Sequence, residues 1–149
     1  MFDAAPKTWE DQTDSRLILV PQHLVLGIFD QVGPMLQKAL DRADGKFNLY
    51  DIIAWVLAGN MHLWVSMRDG KIEAACIAQI LRFPRKTICG LPFLGGKGMA
   101  HWLRFEGQIM EWAKAQGATE FEGYDARAGA WLRKLTDWSL KYTVIGKKI

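Results

Sequence analysis

Three glycines crowd into four residues at Gly95-Gly96-Lys97-Gly98, and the pattern of the chain changes across them. Upstream, His62 to Met67 alternates Leu63, Val65 and Met67 against His62, Trp64 and Ser66, which is strand periodicity. Arg68-Asp69-Gly70-Lys71 then reads as a tight hairpin turn, because Asp-Gly accepts the positive φ of type I′ turns. Residues 72–83 are rich in small and β-branched side chains, as a central strand requires. Pro84-Arg85-Lys86 turns the chain into another strand, residues 87–94, so the three form an antiparallel meander. Downstream, residues 99–116 place Trp102, Phe105, Ile109, Trp112 and Ala113 on one face of a helix closed by Gly117. A strand over residues 119–125 follows. A strand, a long helix and another strand is the crossover that makes two strands parallel. A mainly antiparallel sheet with one such crossover splays where the order switches, and ligands favour that crevice.

The flanks complete the frame. Arg16-Leu-Ile-Leu-Val20 is a first strand, closed by Pro21. Leu24, Ile28, Val32, Met35, Leu36 and Leu40 line one face of a helix, with a kink or break expected at Gly33-Pro34. Asn48 caps a second helix over residues 49–58, and Gly59-Asn60 stops it. Residues 128–138 form a short helix with Trp131, Leu135 and Trp138 on one side, and residues 142–149 close as a last strand. The expected class is α/β in the α+β sense: a mixed, mostly antiparallel sheet flanked by about four helices. Residues 1–15 are polar and aperiodic and form an arm; residues 16–149 form one domain, long enough to bury roughly 70% of its unfolded surface.

Composition narrows the function. A net charge of +3 with scattered Lys and Arg gives nucleic-acid binding no electrostatic support. The first residues carry acids and lack an apolar signal-peptide core, and no apolar run approaches the ~18 residues of a membrane span. Cys76 and Cys89 sit in apolar segments without CxxC spacing and read as buried free thiols of a cytoplasmic protein. His23, His62 and His101 lie on separate elements without ligand spacing, so no metal is expected. Most of the seven tryptophans read as core fillers, with Trp9 on the arm kept as a docking anchor.

The glycine cluster has two readings. It turns the chain beside a solvated Lys97, or its backbone N–H groups and the following helix N-terminus hold an anion such as a pyrophosphate, with Lys97 adding charge. Phe93-Leu94-Gly95-Gly96-Lys97-Gly98 resembles the Gln/Arg-x-x-Gly-x-Gly/Ala turn of the GNAT acyltransferases, matching both glycines at Gly96 and Gly98, with Phe93 in place of Gln or Arg. The element order resembles that family over residues 16–149. The resemblance implies coenzyme A binding at Phe93, Leu94, Gly95, Gly96, Lys97, Gly98 and Met99, with acetyl-CoA as cosubstrate and an amine as acceptor. It also puts Leu132, which has no proton to donate, where many members carry a general-acid Tyr; this departure favours loss of the usual catalysis unless Tyr124 or another donor reaches the thiolate.

The remaining polar candidates at the crevice are Asp125, which is a base or the cap of the next helix, and Glu73, which is a base or a solvated strand end. His101 faces the crevice or solvent, and Arg127 binds an acidic group or is a loop arginine. Three functions follow: an acyl-CoA-dependent N-acyltransferase; a GNAT-like fold without the reaction, acting as a phage virion or assembly component; or a protein that binds coenzyme A without transfer, as a sensor or inhibitor does. The second rests on residues 122–135, which resemble small phage- and prophage-encoded members, and on the arm.

Overall fold

In a computed structural model, residues 15–97, 103–124 and 128–149 are described. Five strands form one sheet in the order β1-β2-β3-β4-β5. They are β1 Arg16–Leu19, β2 His62–Arg68, β3 Lys71–Arg82, β4 Thr87–Gly96 and β5 Glu120–Gly123. The first four are antiparallel to their neighbours, and β5 runs parallel to β4. The β2–β3 hairpin turns where the residue types demand it, with Asp69 at φ 51° and Gly70 at φ 77°. The helices are α1 Gln22–Val25, α2 Phe29–Leu40, α3 Leu49–Leu57, α4 Glu106–Ala115 and α5 Ala128–Leu132. No helix among the described residues is long and apolar enough to cross a membrane.

Each face of the sheet carries its own core. Val32, Leu36 and Leu40 of α2 and Ile52, Ile53 and Val56 of α3 pack on Leu63, Val65, Ala75, Ile77 and Phe93. On the other face, Ile109 and Ala113 of α4 pack on Leu17, Trp64, Ala74, Cys76, Ala78 and Cys89. The small residues of β3 let helices come close on both sides, and each fully buried Leu or Ile contributes about 1.5–3 kcal/mol of transfer free energy. Both cysteines are buried free thiols, as expected.

Helix α3 begins with a reciprocal cap. Asn48 Oδ1 accepts from the Asp51 N–H at 2.9 Å, and Asp51 Oδ2 accepts from the Asn48 N–H at 2.9 Å. The first helical region departs from expectation. Its break is a 3-10 turn at Leu26–Ile28, whereas α2 runs unbroken through Gly33 and Pro34. Pro34 lies on the exposed side of α2, where water can satisfy the carbonyl it leaves unbonded.

The last expected strand is absent. Residues 139–149 take no regular structure, and Val144 and Ile145 are 79% and 91% exposed. The Lys141 side chain instead binds Glu120 and Glu122 of β5 at 2.7 and 2.5 Å. Those contacts hold the segment against a face of β5, away from its hydrogen-bonding edge. The strand propensity of Thr143, Val144 and Ile145 goes unused because the segment does not pair along that edge.

Candidate active-site crevice

Two irregularities in the ladder build the crevice. In β4, Gly90 pairs with Gln79 and Phe93 with Ile77, so Leu91 and Pro92 together oppose Ala78 in a bulge. The bulge resets the alternation. Cys89 and Leu91 turn toward α4, Phe93 enters the α2–α3 core against Phe47 at 5.9 Å, and Leu94 returns to the α4 side. Pro92 has no N–H to give, and the parallel pairing of β4 with β5 ends just before it, at Leu91 and Gly123. Beyond that pair β4 continues to Gly96 without β5.

The second bulge is in β3. Met67 pairs with Ile72 and Ser66 with Ala74, leaving Glu73 as the extra residue. Its carbonyl accepts the Lys97 N–H at 2.9 Å, which fixes the chain as it leaves β4. Glu73, proposed from sequence as a base, thus stands beside the glycine turn.

Gly95 and Gly96, expected to turn the chain after a strand ending at Leu94, are instead the last residues of β4, paired with Ala75 and Ala74. A Cβ at Gly95 would stand 2.7 Å from the Met35 carbonyl carbon and closer still to its oxygen, so α2 crosses β4 directly over it. Gly96 takes φ +119°, and a Cβ there would meet Ala74 Cα at 2.5 Å. Neither position tolerates a side chain, and a Gly96→Asp change would disturb the fold as well as any ligand. Of the seven residues expected to hold coenzyme A, Phe93 is core and offers only its backbone. Leu94 and Gly95 are partly buried, and Gly96 and the Lys97 side chain are exposed. Gly98 and Met99 lie outside the described residues, as do Asp125, Trp9, His101, Trp102 and Arg127.

On the β5 side the crevice carries a polar cluster. Tyr124 follows the last paired residue of β5, and its ring lies against Gly90, where a Cβ would be 3.2 Å from the ring. Its hydroxyl donates to Glu122 Oε1 at 2.7 Å. Burial, and then the Glu122 carboxylate, push the Tyr124 hydroxyl well above its usual pKa, so it stays protonated at neutral pH. Glu122, only 8% exposed, also accepts from Lys141, and the Lys141 and Tyr124 hydrogen bonds hold its carboxyl below the usual range. Glu120 bridges Lys141 and Lys86 at 2.7 and 2.6 Å, and those two cations bring its pKa down to about 2.

Glu120, Glu122 and Lys141 were not singled out as functional from sequence. The period-two spacing Glu120-x-Glu122-x-Tyr124 on a short strand signals a shared polar face; the approach of Lys141 has no local signal. Leu132 ends α5 and is partly buried.

A separate cavity of about 620 Å3 opens at the far end of the sheet, between Phe47, Trp55, Met61, His62, Gln79 and Arg82. His62 packs edge-on to Trp112 at 5.0 Å, and burial lowers its pKa. Among the described residues no group of three or more His, Cys, Asp or Glu could hold a metal ion.

No protein-family model matches the chain, and no curated protein matches its sequence. Solved structures do match. An aminoglycoside acetyltransferase from an uncultured soil metagenomic sample, solved with sisomicin, aligns at TM-score 0.68 and 10% identity over 91% of this chain and 95% of that one. The ribosomal-protein-alanine N-acetyltransferase of Brucella melitensis biovar Abortus 2308 aligns at 0.67 and 9%, over 91% and 99%. A protein assigned as an acetyltransferase from Clostridium acetobutylicum, solved with acetyl-CoA, aligns at 0.60 and 8%, over 90% and 96%. At these identities the likeness establishes the fold, which is that of the GNAT acetyltransferases.

Proposed function

We propose, from a chain with the GNAT acetyltransferase fold, that this protein transfers an acetyl group from acetyl-CoA to an amine in the crevice between β4 and β5. The observation that carries this reading is the parting of β4 from β5 at the Leu91–Pro92 bulge, with β4 running on through Gly95 and Gly96 to the exposed Lys97. The Lys97 N–H is already bonded to Glu73, so backbone donors for a pyrophosphate come from the residues after it, with the Lys97 ammonium as the mobile cation. Amine acceptors are supported by the neighbours, whose substrates by name are an aminoglycoside and a ribosomal-protein alanine.

The chemistry asks for two proton movements. The acceptor nitrogen attacks the thioester carbonyl; the C–N bond forms, the C–S bond breaks, and the thiolate leaves. Tyr124, held protonated, gives the thiolate its proton. Glu122, hydrogen-bonded to Tyr124, takes the proton that the nitrogen loses and returns one to the tyrosine oxygen. Glu73 and Asp125 are the other carboxylates proposed for the base.

Calorimetric titration with acetyl-CoA and with CoA tests the reading. Micromolar binding is expected, and Lys97→Glu should weaken it about tenfold, near 1.4 kcal/mol, without lowering thermal stability. Absence of binding at millimolar ligand removes the transferase reading. The fold without its reaction would then take its place, with the search turning to residues 1–15 and Trp9 as a docking arm.

A further inference from the structure

The C-terminal segment reaches back to the crevice through two anchors. Trp138 stacks on Phe121 of β5 with ring centroids 5.8 Å apart and planes 7° apart, and its indole N–H donates to Glu106 Oε1 of α4 at 2.9 Å. Three residues on, Lys141 places its ammonium between Glu120 Oε1 and Glu122 Oε2. Glu122 is the carboxylate that receives the Tyr124 hydroxyl, so a primary ammonium of the chain itself sits two hydrogen bonds from the proposed general acid. Past Lys141 the described residues form no helix or strand, and Tyr142, Val144, Ile145 and Ile149 are exposed. The segment is held by Trp138 on one face of β5 and by Lys141 on the other.

We propose that residues 139–149 form a self-blocking strap over the β5 side of the crevice, closed by Lys141, and that ligands carrying a primary aliphatic ammonium open it by competing for Glu122. The role of the amine as acceptor rests on the transferase reading; the strap contact does not. A competing ammonium replaces Lys141 charge for charge, so the carboxylate is never left unpaired. Neutral or anionic ligands lack that exchange and leave the strap closed.

Spermidine is the probe, titrated by calorimetry at matched ionic strength. Lys141→Met should bind it at least tenfold tighter than the native chain, and adding Glu122→Gln to that variant should abolish the gain. Equal affinity in the native chain and Lys141→Met overturns the proposal. A second measurement needs no variant: spermidine should accelerate tryptic cleavage after Lys141 in the native protein, and an unchanged rate overturns the strap. Acetyl-CoA titrated into the same samples separates the two readings. Amine-dependent opening without acetyl-CoA binding removes the transferase and keeps the strap; acetyl-CoA binding without amine-dependent opening does the reverse.

Discussion

Gly95→Ala is the substitution on which the architecture makes its sharpest demand. The backbone at Gly95 does not take a positive φ, so alanine is conformationally allowed, and its stiffening of the unfolded chain would favour folding by about 0.4–1 kcal/mol. Packing opposes this. The new methyl would lie 2.7 Å from the Met35 carbonyl carbon and closer still to its oxygen, where ordinary contact begins at 3.4 Å, so α2 and β4 must separate by more than the 0.7 Å the carbon alone requires. The obstructing atoms are helix backbone, which cannot rotate aside. The helix is held to the sheet by Val32, Leu36 and Leu40, all buried. Overpacking of a close-packed core costs about 1–3 kcal/mol, and a backbone obstruction belongs at the upper end. A net loss of about 2–3 kcal/mol should lower Tm by roughly 4–12 °C for a domain of this size. Gly107→Ala is the internal control: it lies in α4 with nothing within 4 Å of the added Cβ, and should stabilise by about 0.5–1 kcal/mol. Thermal and urea unfolding of both variants decide the matter. A Gly95→Ala protein within about 2 °C of the native Tm would refute the claim that α2 rests on β4 at this residue.

Asn48→Ala removes the side-chain half of the cap on α3, leaving the backbone N–H of residue 48 bonded to Asp51, and should cost about 1 kcal/mol, read from urea midpoints at an unchanged m-value. Stability should fall with acid in two stages. Burial lowers the His62 pKa from 6.5, so the unfolded chain binds the proton first and stability declines below that value. Glu120 and Glu122 are lowered from 4.5, Glu120 to about 2, so their contribution is complete above 4.5 and is lost as pH falls through the folded values. Lys141→Met should flatten only the lower stage in a Tm profile from pH 7 to 2. An unaltered lower stage would show that the β5 carboxylates do not depend on Lys141.

Local chemistry made much of the frame legible. Asp69-Gly70 at the hairpin, Asn48 at the cap and the small-residue run of β3 each act within a few residues, so their outcomes can be read from the residue types alone. The helix face of Phe105, Ile109, Trp112 and Ala113 likewise packs on the sheet as its spacing predicts. The break near Gly33-Pro34 was misplaced because a proline's cost depends on whether the carbonyl it orphans meets water or core, which periodicity does not record. Residues 142–149 have strand propensity, but a strand also needs a partner edge, and Lys141 carries this segment onto the face of β5.

The division is sharpest at the crevice. A strand, a glycine turn, a helix and another strand imply two parallel neighbours and a splay between them, and that much follows from the chain's own order. Which atoms line the splay was decided by tertiary contacts: a one-residue bulge at Leu91–Pro92 sent Phe93 into the core, and Met35 of α2 claimed the space over Gly95. Lys141 came to Glu122 across 19 residues of chain. A bulge reverses every later side chain of its strand, and an ion pair between distant residues leaves no periodic trace; both depend on how whole elements meet, which no short window of residues contains.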